Sequence, residues 1–369
     1  MEKNDYLTTQ IITYMGNKRK LLLYVNDVLD DICKDMGCDT LTIGDGFSGS
    51  GIVSRLFKQR STKLYTNDIA GYSKTLNTCY LSTPTSSMRG RINKYIDTAN
   101  DIANNTTEVS EPWISKHWSP KDTTIVESER AYFTRDNAIR IDAIRDYIET
   151  IPVKYRDHLT APLLVESSIH NNTNGQFSAF YKDGNNIGKY GGKNEVDIKR
   201  ITQQIKLPYP IYDTNKCEVH VSQLDTNEWV KKIPEVDVVY YDPPYNKHPY
   251  DIYYFMLDII NNWNKGLDIP DTNRGQPKDR SKSKYNSSIH AESALIELLN
   301  NTRSKYIILS YNDKGIIPIS KMDTILKVFK NINKIPIDHK VYNRLKGISN
   351  YKREKEYSQV KEYLYVIQK

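Results

Sequence analysis

Two rhythms of apolar and polar positions run through the chain. A helix-like segment spans Lys20 to Met36, and a second helical pattern begins near Ile52. Between them a short apolar run at Leu41 and Ile43 leads into a glycine-rich turn, and a further run covers Lys63 to Thr66. This strand–helix–strand order favours a parallel sheet. The middle of the chain is more polar. There Ile139, Ile141, Ile144 and Ile148 predict a helix over Asp136 to Thr150, and another surrounds Leu159 to Ile169. The stretch 171–192, rich in Gly, Asn and Lys, reads as loops or a hairpin. From about residue 211 the α/β alternation returns. Val236 to Tyr241 has the continuous apolar character of a strand buried on both faces, and Tyr306 to Leu309 and Tyr363 to Ile367 follow as further strands. The expected organisation is one α/β sheet domain made of residues 1–80 and 211–369, interrupted by an insertion at 81–210.

Composition narrows this picture. A chain of 369 residues, 38% apolar and 26% charged, can bury a sizeable core. Its apolar runs fall short of the roughly 18 residues that a membrane span needs, and Met1-Glu2-Lys3-Asn4-Asp5 lacks the pattern of a secretory signal, so a cytoplasmic protein is expected. Cys33, Cys38, Cys79 and Cys217 form no Cys-x-x-Cys pair, which argues against a metal site or a disulfide framework. None of them follows a proline, which removes the Pro-Cys nucleophile used for methylation at cytosine carbon 5. The net charge of +7 suits a polyanionic partner.

Two segments carry candidate chemistry. The first is the turn Ile43-Gly44-Asp45-Gly46-Phe47-Ser48-Gly49-Ser50-Gly51, set between a predicted strand and a predicted helix. Glycines there let the backbone approach a ligand closely, next to amide donors at a helix start. Asp68, at the end of the next strand, suits ribose hydroxyls, and its distance from Asp45 is near the ~20 residues of nucleotide-binding β-α-β units. Asp45 suits the ammonium of a methionine moiety and would repel a pyrophosphate, which favours S-adenosylmethionine over a dinucleotide.

The second is Asp242-Pro243-Pro244-Tyr245, directly after the apolar run. Two prolines turn the chain out of the sheet and remove amide donors. A carboxylate, carbonyls and an aromatic ring then remain at the strand edge where open α/β sheets bind ligands. Asp242 and the Pro243 carbonyl can each accept one hydrogen of an exocyclic amino group. The carboxylate also offsets the positive charge that grows on nitrogen as it is methylated. Tyr245 can stack on a base rotated out of a duplex.

With these residues the chain resembles the Dam-type (alpha-class, D12) N6-adenine DNA methyltransferases, and is closer to the modification enzymes of FokI-type restriction systems than to Dam itself. Tyr14-Met15-Gly16-Asn17-Lys18 stands where that family has its opening lysine motif. Asp45 to Gly51 corresponds to its glycine loop, Asn67-Asp68-Ile69 to its ribose position, and Asp242 to Tyr245 to its catalytic motif. Tyr132 to Asn137 and Ser310 to Asp313 also look like family features, whereas Asn246 to Tyr250 departs from its closer relatives.

The resemblance implies a Rossmann-like S-adenosylmethionine-dependent methyltransferase fold with target recognition in the insertion, acting on a flipped-out adenine of double-stranded DNA. It implies that Lys18 pairs with the cofactor carboxylate, Asp45 with its amino group and Asp68 with its ribose, beside Tyr14, Phe47, Ser48, Gly49 and Ile69. The residue facing the cofactor adenine is one of Ser222, Gln223 and Asp225. No metal is implied. A monomer is expected, with or without a cognate restriction endonuclease.

Two basic clusters are candidate phosphate contacts: Arg274, Lys278, Arg280, Lys282 and Lys284, and a later group that includes Arg344 and Lys346. The rival readings are an N4-cytosine methyltransferase and a DNA-binding relative without turnover. The first typically carries Ser in place of Asp242, and the second need not keep Asp45, Asp68 and Asp242 together.

Overall fold

Val238 and Tyr240 point to one side of the strand that carries them, and Val239 and Tyr241 to the other, each pair in a different hydrophobic cluster. Such a strand must be covered on both faces, which is the condition of an inner parallel strand. The computed structural model describes residues 5–14, 16, 18–247, 249–278, 283–340 and 359–369. Its strands are β1 (Leu41–Asp45), β2 (Ser61–Asn67), β3 (Glu218–Ser222), β4 (Val236–Tyr241), β5 (Ser304–Asn312), β6 (Asn331–Lys340) and β7 (Gln359–Gln368). They form one sheet in the order β3-β2-β1-β4-β5-β7-β6. The pairs from β3 through β5 are parallel, and β7 runs antiparallel to both of its neighbours.

Helices cover both faces. Leu22–Met36 and Ile52–Arg60 bury Val25, Leu29, Leu56 and Phe57 against one side. Thr226–Lys232, Ala291–Asn301 and Ile319–Leu326 bury Trp229, Leu295, Leu298 and Met322 against the other. A third cluster unites Gly71–Tyr80 and Tyr250–Asn262 with three helices of the middle segment, Ser86–Asn105, Arg135–Thr150 and Val153–Ile169. Buried arginines reinforce it: Arg145 Nε donates to the Ile260 carbonyl at 2.7 Å, and Arg140 Nε to that of Ile205 at 2.8 Å. The chain leaves the sheet after β2 and the helix Gly71–Tyr80 and returns to it at β3.

Several elements differ from the pattern-based expectation. The helix expected from Lys20 begins as a short 3-10 turn, Lys18–Leu21, before Leu22–Met36. Residues 171–192, expected as loops or a hairpin, are loops with one isolated antiparallel bridge, Lys182 to Gly188. The helix Ser86–Asn105 goes unpredicted because its buried positions, Ile92, Ile96, Ala99 and Ala103, are few and embedded in Asn, Asp and Arg. Its N-cap was a usable signal, since Thr85 Oγ1 accepts from Met88 N at 3.2 Å. β6 escapes the pattern because Pro336 interrupts it, and proline is tolerated there because β6 is the sheet's edge.

Candidate active site

Three chain segments meet above the C-terminal ends of β1, β2 and β4. The glycine turn leaves β1 at Asp45. Gly46 N donates to the Tyr240 carbonyl at 3.0 Å, and Thr226 Oγ1 donates to the Gly46 carbonyl at 2.8 Å. A Cβ at residue 46 would lie 2.7 Å from the Tyr241 ring, so β4 leaves room for glycine alone. Gly51 has φ +77°, and a Cβ there would meet Asn77 Oδ1 at 2.6 Å. The turn is tied to β2 by Asp68, whose Oδ2 accepts from Gly49 N at 2.8 Å and whose Oδ1 accepts from Ala70 N at 2.9 Å. Burial nevertheless pushes the Asp68 carboxyl above the usual carboxylate range. Asn67 fixes the neighbouring segment in both directions, donating to the Leu224 carbonyl and accepting from Leu224 N, each at 3.0 Å. Asp225 then caps the helix Thr226–Lys232 through Asn227 N.

The Asp-Pro-Pro-Tyr segment follows β4. Asp242 Oδ1 lies 3.1 Å from the ammonium of Lys18, whose side chain is 5% exposed. Lys18 also pairs with Glu362 of β7, and Glu362 Oε1 accepts from Ser310 Oγ of β5 at 3.0 Å. Burial, set against Lys18 and seconded by Glu362, pushes the Asp242 carboxyl up to about 7. The Lys18 ammonium is held well above its usual range by Asp242 and Tyr245, despite the opposing effect of burial. One cation thus serves two carboxylates.

These groups border a cavity of about 410 Å³. Tyr14, Lys18, Phe47, Ser48 and Gly49 contribute to its wall, as do Asp68, Ile69, Gln223 and Asp225. Asp242 and Pro244 complete the sequence-predicted part of it. Tyr14 is clamped by ring stacking, 4.7 Å from Tyr254 and 5.3 Å from Tyr250. Four candidates sit outside the wall. Asp45 lies behind it, fully buried; its Oδ2 accepts from Ser54 Oγ at 2.6 Å, its Oδ1 has no hydrogen-bond partner, and burial pushes the carboxyl up to about 7. Ser222 contributes a carbonyl that accepts from Asp68 N, and Pro243 is buried. Tyr245 is half-buried, edge-on to Tyr311 and 5.4 Å from the Lys18 ammonium.

The pattern along the chain missed Asp258, Tyr285, Gln276 and Glu362. Asp258, on the helix Tyr250–Asn262, accepts from the Tyr72 and Gly71 amides, and burial holds its carboxyl at about 7. Tyr285 meets Phe47 edge-on at 5.1 Å and donates its hydroxyl to Asn227 Oδ1 at 2.7 Å. A tyrosine after a basic loop and an acid within an apolar helix carry no local signature.

Of the basic candidates, Arg274, Lys278 and Lys284 are exposed, whereas Arg280, Lys282, Arg344 and Lys346 lie outside the described residues. The root of the first basic loop is pinned to the middle segment. Arg130 donates to the carbonyls of Pro270 and Thr272 at 2.9 Å, and Trp118 Nε1 donates to that of Arg274 at 3.0 Å. Immediately beyond, Gln276 and Pro277 form part of the cavity wall.

A mostly parallel sheet with a reversed seventh strand, a glycine turn tied to an acidic strand end, and an Asp-Pro-Pro-Tyr edge beside the same cavity define a Rossmann-like methyltransferase. Residues 14–325 match the D12 class N6 adenine-specific DNA methyltransferases, and the chain belongs to that family. It is therefore an adenine-specific DNA methyltransferase, and the cytosine-N4 alternative is set aside. Similar proteins include the Type II methyltransferase M.NlaIII of Neisseria lactamica, 25% identical over 361 residues, covering 97% of this chain and 99% of that one. The Type II methyltransferase M.FokI of Planomicrobium okeanokoites is 26% identical, covering 96% of this chain and 52% of its own. The modification methylase StsI of Streptococcus sanguinis is 28% identical, covering 88% and 48%. The chain thus spans about half the length of the last two.

Proposed function

We propose that the cavity takes S-adenosylmethionine, that the adenine is presented flipped out of double-stranded DNA, and that the enzyme modifies DNA within a cytoplasmic restriction–modification system. The observation that carries the cofactor reading is the charge of the cavity. Asp68, Asp225, Asp251 and Asp258 line it together with Asp242, and Asp45 lies behind its wall, whereas Lys18, already shared by two carboxylates, is the one lysine among its described lining residues. Such a site favours a ligand whose charge is positive near its centre. Asp45 acts on the site from behind the wall through its charge, and Ser48 and Gly49 bring the turn to the cavity.

When bound, this cofactor supplies a methyl group on a positively charged sulfur. The residues do the rest. Asp68, which fixes the glycine turn, would accept from the ribose hydroxyls. Phe47, Gln223, Asp225 and Tyr285 are the wall residues that would hold the cofactor's purine. An ammonium has three donors; Lys18 donates one to Glu362 and lies 3.1 Å from Asp242 Oδ1 as an ion pair, which leaves a donor for the cofactor carboxylate. Asp242 and the Pro243 carbonyl hold the target amino group by its two hydrogens, and Tyr245 supports the base. The carboxylate stabilises the charge that grows on nitrogen. The middle segment, with the exposed cations Arg274, Lys278 and Lys284, is assigned to the duplex.

The direct test uses purified protein, tritiated S-adenosylmethionine and mixed-sequence duplex DNA. The label is expected in N6-methyladenine; label confined to cytosine or to RNA would sink the reading. Single-molecule sequencing of the product gives the recognition sequence.

A second expectation concerns pH. Asp45 and Asp258, held near 7 by burial, are mostly protonated below that value and charged above it. A cationic cofactor therefore binds more tightly as pH rises from about 6 to about 8, by roughly tenfold. S-adenosylhomocysteine, without the sulfonium charge, is expected to show a shallower change. Calorimetric titration of both ligands checks this, and identical pH profiles would remove the sulfonium from the explanation.

A further inference from the structure

Glu362 has no place in the mechanism so far, yet it is 6% exposed on β7 at the last pair of the β5–β7 register, opposite Asn312. A buried carboxylate costs several kcal/mol unless it is paired and hydrogen-bonded, and an apolar residue would serve the strand as well. Its partners are Ser310 Oγ at 3.0 Å and the Lys18 ammonium. On its far side Lys18 is 3.1 Å from Asp242 Oδ1. The four groups form a relay from β5 and β7 to the tetrapeptide.

We propose that Glu362 is a positioning residue for amino methylation, drawing the Lys18 ammonium toward β7 so that the Asp242 carboxylate stays free for the target amino group. This rests on the reading of Asp242 given above. Two carboxylates and one ammonium leave the corner with one negative charge, the complement of the positive charge that develops on the amino nitrogen. Without Glu362 the corner is neutral, and Lys18 closes on Asp242 and occupies the acceptor that the amino hydrogens need.

In the step itself the nitrogen lone pair forms the N–C bond while the C–S bond breaks, its electron pair staying on sulfur. The nitrogen, now positive, gives one proton to Asp242, which passes it to water. The raised carboxyl of Asp242 suits that transfer. Besides Lys18 and Glu362, the ionisable groups facing Asp242 are Tyr240, Tyr245, Tyr250 and Asp45. The tyrosines are all shifted upward and stay neutral in the working range. Asp45 titrates near 7 and is followed separately through cofactor binding.

The experiment is single-turnover formation of N6-methyladenine between about pH 5 and pH 9, at saturating S-adenosylmethionine, with cofactor Kd measured alongside. For Glu362→Gln the acid limb is expected to move to lower pH by about one unit, and the plateau to fall about tenfold, with Kd within about twofold of the parent. Glu362→Asp keeps the charge but holds Lys18 further from Asp242. Its plateau is expected within about threefold of the parent and its limb at higher pH, the opposite direction. A folded Glu362→Gln with the parent's limb overturns the proposal. Should that variant not fold, an unmoved limb in Glu362→Asp overturns it equally. A parent enzyme that yields no N6-methyladenine would instead refute the underlying reading of Asp242, so the two failures are distinguishable.

Discussion

Asp242→Ala is expected to lower methyl transfer by about a thousandfold or more while leaving cofactor binding close to the parent value. Removing one preorganised group at the point where charge develops typically costs 10²–10³ in rate, and on the reading proposed above Asp242 also orients the amino nitrogen. The loss should be confined to chemistry. Lys18 keeps Glu362 as its partner in the variant, so no buried cation is orphaned, and Asp68 with the glycine turn is untouched. Rapid-quench turnover beside calorimetric cofactor binding separates the two effects. Full activity in the variant would show that Asp242 is not the amino acceptor. Asp242→Asn, which keeps an acceptor oxygen and loses the charge, should fall between the two.

The next largest effect is expected for Asp68→Ala, and on binding. Its carboxylate accepts from Gly49 N and Ala70 N, and both amides lose that acceptor in the variant. Hydrogen bonds to charged groups contribute roughly 1.5–3 kcal/mol each. Slackening of the turn and loss of the proposed ribose contact should together raise the Kd for S-adenosylmethionine about a hundredfold, with kcat at saturating cofactor within about threefold. Equilibrium binding decides the matter, and an unchanged Kd would remove Asp68 from the cofactor site.

Residues close in sequence were legible; pairs closed by the fold were not. The glycine turn, Asp68 and the tetrapeptide can be read in one dimension because each is a short segment whose chemistry follows from adjacent residue types. Val236–Tyr241 announced itself by unbroken apolarity. The position of Asp45 behind the cavity wall was not legible, since the same Asp-Gly-Phe sequence is compatible with a carboxylate on either side of the turn. Asp258 and Tyr285 reach the cavity from a helix and a loop whose approach depends on packing against the middle segment and against Phe47. Glu362 was least accessible of all. It meets Lys18 across a separation of 344 residues, and alternation along β7 gives no hint of what lies opposite an acid.

That separation bears on how the enzyme comes into being. Lys18 emerges from the ribosome some 344 residues before Glu362. Pairing of β7 with β5 is what delivers the second carboxylate to the buried ammonium. Contacts of such long range are late and slow to form. A nascent chain can have its glycine turn and its Asp-Pro-Pro-Tyr edge complete and still lack the full catalytic corner, so maturation of activity waits on the synthesis and pairing of β7.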